Sequence, residues 1–277
     1  MKIGLIGKGF VGDAIYQNLK NDHDFLVYDI DDNKKNVSNI RDVIHGAKII
    51  FVALPTPMKE DGTCDLSIIL KSMAQINYWY NDNIVILKST IVPGTCDTIK
   101  KLYPNLRIVF SPEFLTEANY VEDFKNCNRI ILGGEYNDTT ECCEMFKTVF
   151  PDKHYLFTNH KTAEMVKYFI NNFLSVKVSF ANEMKEICDK TGIFYEDVKN
   201  LALFDERIGK SHFMVPGPDG ELGFGGTCFP KDINAMIEYA KSIGVGPKIL
   251  ESAWEKNLKI RQDKDWLSKQ GRAVSKK

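Results

Sequence analysis

The chain opens on an apolar run, Lys2-Ile3-Gly4-Leu5-Ile6, that passes directly into Gly7-Lys8-Gly9-Phe10-Val11-Gly12. A helical pattern follows through Ala14, Ile15 and Leu19, and a second apolar run, Phe25-Leu26-Val27-Tyr28, ends at Asp29. Strand, glycine turn, helix, strand and acid in this order specify a dinucleotide-binding βαβ unit. Each glycine has its own task. Gly7 makes the tight turn, Gly9 lets the backbone approach a pyrophosphate, and Gly12 lets helix and strand pack closely. The N–H groups of Phe10, Val11 and Gly12 open the helix and face the phosphates. Asp29 stands where a carboxylate bonds the ribose 2′-OH, which predicts NAD rather than NADP.

Beyond this unit, buried strands are expected at residues 48–53, 84–88, 107–110 and 129–132, with helices between them such as 66–78. One short helix over residues 34–45 makes the crossing after Asp29. Alternation of this kind predicts an α/β fold with a Rossmann-type, mostly parallel sheet and helices on both faces. Pro55 and Thr56 follow the third strand at its carboxyl end, where open α/β sheets bind ligands. From about residue 161 the rhythm becomes helical without Gly or Pro: Met165, Val166, Phe169, Phe173, Val176, Phe180, Met184, Ile187. Residues 161–190 read as one helix roughly 40 Å long, a spine that joins two lobes and two subunits. Further helices are expected at 195–202, 230–243 and 247–269, a loop at 215–220, and a frayed basic end at 270–277. The domains are therefore 1–160, a nucleotide-binding domain, and 161–277, a helical central domain.

The 277 residues suffice for two modest domains, and the formal net charge of −1 gives no reason to expect nucleic acid or an anionic membrane surface. No apolar run is long enough to span a bilayer and no signal peptide precedes the first strand. The seven cysteines match neither a disulfide framework nor a metal site. A reducing cytoplasm is the expected compartment.

One cysteine stands apart. Gly223-Phe224-Gly225-Gly226-Thr227-Cys228-Phe229-Pro230-Lys231-Asp232 sets Cys228 between a glycine-rich loop and a helix whose first turn accommodates Pro230. The helix N-terminus and Lys231 both favour the thiolate, so Cys228 reads as a covalent nucleophile. Lys167 and Asn171 are four apart and share one helix face. Together they read either as an oxyanion site or as a solvated lysine beside an asparagine bonded to backbone. Asp232 is either chemical or a favourable acid in a first helical turn.

With these motifs in order, the chain resembles the UDP-glucose/GDP-mannose dehydrogenase family. The resemblance also rests on Ser89-Thr90-Ile91-Val92-Pro93-Gly94-Thr95, Ser111-Pro112-Glu113-Phe114-Leu115-Thr116-Glu117, Arg129 with Gly133-Gly134, and Arg207-Ile208-Gly209. It implies a helical second domain like that of 6-phosphogluconate dehydrogenases. It also implies NAD-dependent oxidation of a sugar primary alcohol to a carboxylate in two hydride steps, through a thiohemiacetal and a thioester on Cys228. By that resemblance Lys167 and Asn171 hold the oxyanion, and Asp232 with Thr90 positions a water. Glu113 assists hydrolysis, for which a raised pKa is expected. Glu117, on a short helix or at the surface, joins Thr90, Pro55 and Thr56 at the cofactor. Glu113, Phe114, Leu115, Gly225 and Lys231 contact the sugar nucleotide. Arg207 reaches substrate in a neighbouring subunit or makes a surface salt bridge. The run after Cys228 resembles the UDP-glucose branch, with GDP-mannose or another sugar nucleotide as the alternative. Two differences stand out. The family continues into a second nucleotide-binding domain, which has no counterpart after Trp266, and it has an extra strand and helix between Asp29 and Phe51. A 3-hydroxyacid or 6-phosphogluconate type dehydrogenase, and a non-catalytic NAD-binding partner of a longer enzyme, are the other readings.

Overall fold

Short apolar runs become the strands of one sheet: β1 (Lys2–Ile6), β2 (Asp24–Tyr28), β3 (Ile49–Val52), β4 (Ile84–Leu87), β5 (Arg107–Phe110), β6 (Arg129–Gly134) and β7 (His154–Thr158). The computed structural model describes residues 1–276. The chain divides into two compact units, the first formed by residues 1–56 and 66–167, the second by 57–65 and 168 onward.

In the first unit the strand order is β2-β1-β3-β4-β5-β6-β7, parallel except for β5 against β6. The period of two along each strand divides the core. Ile50, Val52, Val85 and Leu87 enter one apolar layer, while Ile49, Phe51, Ile84 and Ile86 enter the other. Both faces are covered, as a parallel sheet requires, by α1 (Phe10–Leu19), α2 (Ile40–Gly46), α3 (Ser67–Tyr78), α4 (Thr95–Leu102), α5 (Tyr120–Asn126) and α6 (Tyr136–Lys147). The expected Rossmann-type sheet is therefore present, with one further strand, β7, and with β6 and β7 running against the other five.

The helix expected at 34–45 is broken. A 3₁₀ turn at Asp32–Lys34 precedes α2, and the chain between them bends without forming helix. Asn36 explains the break. Its Oδ1 accepts from Val27 N at 2.7 Å and its Nδ2 donates to Phe25 O at 2.8 Å, so it continues the edge of β2 instead of a helix. Asn39 then caps α2 by accepting from Asp42 N.

The long helix α7 (His160–Thr191) is continuous over 32 residues. It begins in the first unit and supplies the spine of the second. There it is joined by α8 (Tyr195–Ala202), α9 (Phe229–Ser242) and α10 (Lys248–Ile260). The helix expected to run to residue 269 ends at Ile260. Arg261 takes extended backbone angles, and its Nε donates to Asp263 O, turning the chain into a 3₁₀ turn at Asp265–Ser268. Nor is the end frayed. Met58 N donates to Ala273 O at 2.9 Å and Ser275 N to Met58 O at 2.8 Å, so the tail pairs with the 57–65 segment. Residue 277 lies outside the described residues.

Candidate active site

The glycine turn has the geometry that a dinucleotide needs. Gly7 has φ +88°, and a Cβ on Gly12 would fall 2.0 Å from Gly7 O, so α1 and β1 touch only because Gly12 lacks one. A Cβ on Gly9 would meet nothing within 4 Å, which leaves open space at the start of α1. No side chain caps that helix. Asp29 follows β2, and its carboxylate accepts from Lys8 N at 2.6 Å and Asp31 N at 2.9 Å, which holds it at the turn. These features fit the pyrophosphate and ribose of NAD. Lys34 and Lys35 pair with Asp31 and Asp32.

The loops after β3 and β4 lock together at the same sheet edge. Leu54 N donates to Ser89 Oγ at 2.9 Å, and Thr56 Oγ1 donates to Thr90 O at 2.6 Å. Behind Thr90, fully buried Glu164 of α7 accepts from Gly94 N at 2.5 Å and Cys96 N at 2.8 Å. It caps the start of α4 from a distant element, and burial keeps its pKa raised.

Glu113 meets Lys167. Lys167 Nζ donates to Glu113 O at 2.7 Å and to Glu113 Oε1 at 2.9 Å, while Glu113 Oε2 accepts from Leu115 N at 2.8 Å. Both side chains are less than a tenth exposed. Burial alone would raise the pKa of Glu113. Lys167, the Leu115 N–H and Lys88 outweigh it and hold the carboxyl below its ordinary value. The raised pKa expected of a hydrolytic base is therefore overturned, because two buried ammonium groups face this acid. Lys88 itself donates to Ser111 Oγ and Pro112 O, each at 3.2 Å, and burial lowers its pKa to about 8. Phe114 lies against the Arg129 guanidinium, 4.8 Å from its ring centroid. Residues 112–117 are not helical, so Glu117 sits in a loop ahead of α5 rather than on a short helix.

In the second unit Cys228 occupies the N-cap of α9, with Pro230 in the first turn. Asp232, 1% exposed, accepts from Asn171 Nδ2 at 2.6 Å and from Lys231 Nζ at 2.5 Å. Asn171, expected to act with Lys167, is thus bonded to Asp232, expected to act with Thr90. Burial disfavours the Lys231 ammonium, but Asp232, Cys228 and Cys64 more than compensate and raise its pKa. The glycine loop is held through its backbone. Gly223 N donates to Asn182 Oδ1 at 3.2 Å, and Phe224 exchanges two bonds with Asn257, N to Oδ1 at 2.7 Å and Nδ2 to O at 3.0 Å. Gly225 is crowded: a Cβ there would lie 2.2 Å from Asp265 Oδ1.

The predicted residues thus form two clusters, Glu113 with Lys167 in one unit and Asn171, Lys231 and Asp232 near Cys228 in the other. Arg207 joins neither. Its guanidinium is largely exposed and pairs with Asp205. Sequence reasoning missed Lys88, Glu164, Asn182, Asn257 and Asp265. Of these only Lys88 carried a signal, a lysine ending an apolar strand ahead of Ser89. No disulfide joins the seven cysteines.

Two family models match, one described as the UDP-glucose/GDP-mannose dehydrogenase family, NAD binding domain, over residues 35–152, the other as the central domain of the same family over 161–259. The chain belongs to the UDP-glucose/GDP-mannose dehydrogenase family. The first match begins after the glycine turn, so residues 7–12 are assigned from their own geometry. A UDP-glucose 6-dehydrogenase of Rickettsia bellii is 34% identical over 233 residues, which are 80% of this chain and 52% of that protein. One from Pseudomonas aeruginosa is 33% identical over 229 residues, 78% of this chain and 49% of that protein. The chain spans about half the length of the curated relatives it matches. A solved UDP-glucose dehydrogenase from Pyrobaculum islandicum superimposes with a TM-score of 0.81 at 25% identity, covering 93% of this chain and 68% of that one. A 3-hydroxyisobutyrate dehydrogenase of Mycobacterium tuberculosis gives a TM-score of 0.74 at 14% identity, covering 93% and 92%, a likeness of fold alone. Among the described residues, no helix is long and apolar enough to cross a membrane.

Proposed function

We propose that this family member oxidises a nucleotide sugar, UDP-glucose first, to the uronate, with Cys228 as the covalent nucleophile. The observation that carries the reading is Cys228 at the head of α9, in one turn with an Asp232 that Asn171 and Lys231 both hold. NAD, when bound, accepts one hydride in each of two steps. In the first, the primary alcohol loses a proton and a hydride and becomes an aldehyde. The Cys228 thiolate adds to that carbonyl carbon, forming a C–S bond and an alkoxide that is protonated to a thiohemiacetal. Loss of the second hydride and of the hydroxyl proton gives a thioester. Water then breaks the C–S bond, releasing the carboxylate and the thiol. Lys167 and Asn171 are one turn apart on α7 and serve as the donors to oxygen as charge develops. Asp232 and Thr90 orient the water. Glu113, kept ionised, acts by holding Lys167 in place and by its charge rather than as a base titrating near neutrality.

The cofactor role falls to Gly7, Gly9, Phe10, Val11, Gly12, Asp29, Pro55, Thr56, Thr90 and Glu117. Sugar-nucleotide contacts fall to Glu113, Phe114, Leu115, Gly225 and Lys231. The relatives named for UDP-glucose support that substrate, and GDP-mannose is the alternative. Pure protein with NAD and UDP-glucose should give two NADH per sugar consumed. One NADH per sugar would rule out the two-step route, and NADH with GDP-mannose alone would reassign the substrate.

The same reading includes a homodimer through α7. Phe169, Phe173 and Phe180 are each more than half exposed along that helix, and Met165 and Ile187 extend the stripe. Such a face calls for a partner. Light scattering should give twice the 31.5 kDa chain mass, and Phe173→Lys should give one chain mass. A monomeric wild type would remove the dimer from the proposal.

A further inference from the structure

The central-domain match ends at residue 259, yet residues 261–276 are built into the support of the cysteine loop. Arg261 is 4% exposed, and its Nη2 donates to Asp219 Oδ2 at 2.8 Å. Asp265 opens the 3₁₀ turn and accepts the Gly226 N–H with both oxygens, at 3.2 and 3.0 Å. Lys269 Nζ donates to Asp265 Oδ2 at 2.9 Å, and Arg261 Nη2 reaches Asp265 Oδ1 at 3.3 Å. The next residue anchors the turn: Trp266 is 2% exposed, and its ring centroid lies 5.5 Å from that of Trp254. Beyond it, Ser275 Oγ donates to Asp65 Oδ2 at 3.0 Å. The Asp265 carboxylate therefore has three partners, Lys269, Arg261 and a backbone N–H two residues before Cys228.

Gly226 has φ +75° and Gly223 φ +70°, so the loop follows a path that only outside bonds select. A half-buried N–H in such a loop is best satisfied by a fixed acceptor, and Asp265 supplies it. The burial that would raise the Asp265 pKa is outweighed by Lys269, the Gly226 N–H and Arg261, so it bonds as a carboxylate.

We propose that Asp265 is a positioning residue for the Cys228 thiol: by holding Gly226 it fixes the loop that delivers Cys228 to the N-terminus of α9. The proposal rests on the covalent role given to Cys228 above. Lys231 on α9 interacts with that thiol, and Asp232 and Cys64 of the 57–65 segment also act on Lys231. The helix terminus and Lys231 favour the thiolate only while Cys228 keeps its place.

The test compares the wild-type chain with Asp265→Ala and Asp265→Asn. Hydrogen exchange is followed at Gly226, and iodoacetamide alkylation of Cys228 is followed against pH by mass spectrometry, with Cys127 as internal reference. Asp265→Ala should speed Gly226 exchange tenfold or more and raise the pH midpoint of Cys228 alkylation by half a unit or more, leaving Cys127 unchanged. With UDP-glucose, kcat should fall about tenfold while KM for NAD stays constant. Asp265→Asn keeps an acceptor oxygen and should fall between. It carries the test alone if the alanine variant does not fold. An unmoved Cys228 midpoint in the folded variant or variants overturns the proposal, whatever happens to overall stability. If wild type makes no NADH, the substrate reading fails by itself, and the exchange and alkylation readouts still decide the role of Asp265.

Discussion

Two buried lysine–carboxylate pairs, one in each unit, are built in opposite ways. Lys167 and Glu113 are 54 residues apart and meet only because α7 passes the loop after β5. Lys231 and Asp232 are adjacent in the first turn of α9, and Asn171 adds a neutral donor to the same acid. The first pair carries a second cation, Lys88, behind it, so its carboxylate is over-neutralised. The second is shared between a charge and an amide. A pair made by tertiary structure is an electrostatic clamp on a loop, while a pair made within one turn leaves its acid adjustable by a single neighbouring side chain.

Substitutions separate the two. The largest expected effect is at the thiol beside the second pair: Cys228→Ser should lower NADH formation by about a thousandfold or more, as loss of a covalent nucleophile does, with the fold intact by circular dichroism. Next, Lys167→Met takes the nearest cation from a buried carboxylate, leaving it Lys88 and the Leu115 N–H, and should cost about 3 kcal/mol in urea unfolding. The double variant Glu113→Gln with Lys167→Met should regain at least half of that. Lys231→Met should cost less, by about 1 kcal/mol, because Asn171 still bonds Asp232. Equal costs would erase the distinction drawn between the pairs.

The pH dependence sharpens the first pair. Lys88 has a folded pKa of about 8 against 10.5 unfolded, so the unfolded chain binds more protons between those values. Stability from this group is therefore depressed below pH 8 and recovers as pH rises. Between pH 7 and 10 the wild type should gain on the order of 2 kcal/mol over Lys88→Met. Glu113 runs the other way. Its folded pKa lies below the ordinary 4.5, so its contribution is present above that value and is lost as pH falls through the lowered one. Glu113→Gln should flatten the acid limb of the stability curve, and an unchanged limb would remove the ionised Glu113 from this picture. The smallest effect belongs to Arg207. Its pairing with Asp205 is exposed, and Arg207→Ala should leave the urea unfolding midpoint unchanged.

What could be read in advance follows the range of the forces involved. The glycine turn and the N-cap place of Cys228 depend on neighbours in sequence, and they stand where local chemistry put them. The run from Met165 to Ile187 was legible as helix because its period is local. Asn36 shows the limit: one side chain reaching β2 replaced half of an expected helix with bent, non-helical chain. Glu164 and Asp265 were invisible for the same reason, since each acts on a backbone N–H many residues away. The ionisation of Glu113 was misjudged because Lys88 and Lys167 come from separate elements, and no spacing rule joins them.

The reversal of β6 and β7 has a consequence for the loop that carries Glu113. Parallel strands deliver only their final residues to the ligand edge of a sheet. In the antiparallel ladder of β5 and β6, Val109 faces Gly134 and Phe110 faces Gly133, so paired numbers sum to 243. Extending that sum assigns Arg129 to Phe114 (129 + 114 = 243), the two side chains found in contact. β6, entering the sheet from the opposite end, thus brings its first residue, a cation, to the edge where β5 leaves. The loop after β5 is thus held by a residue of the incoming strand as well as by its own strand.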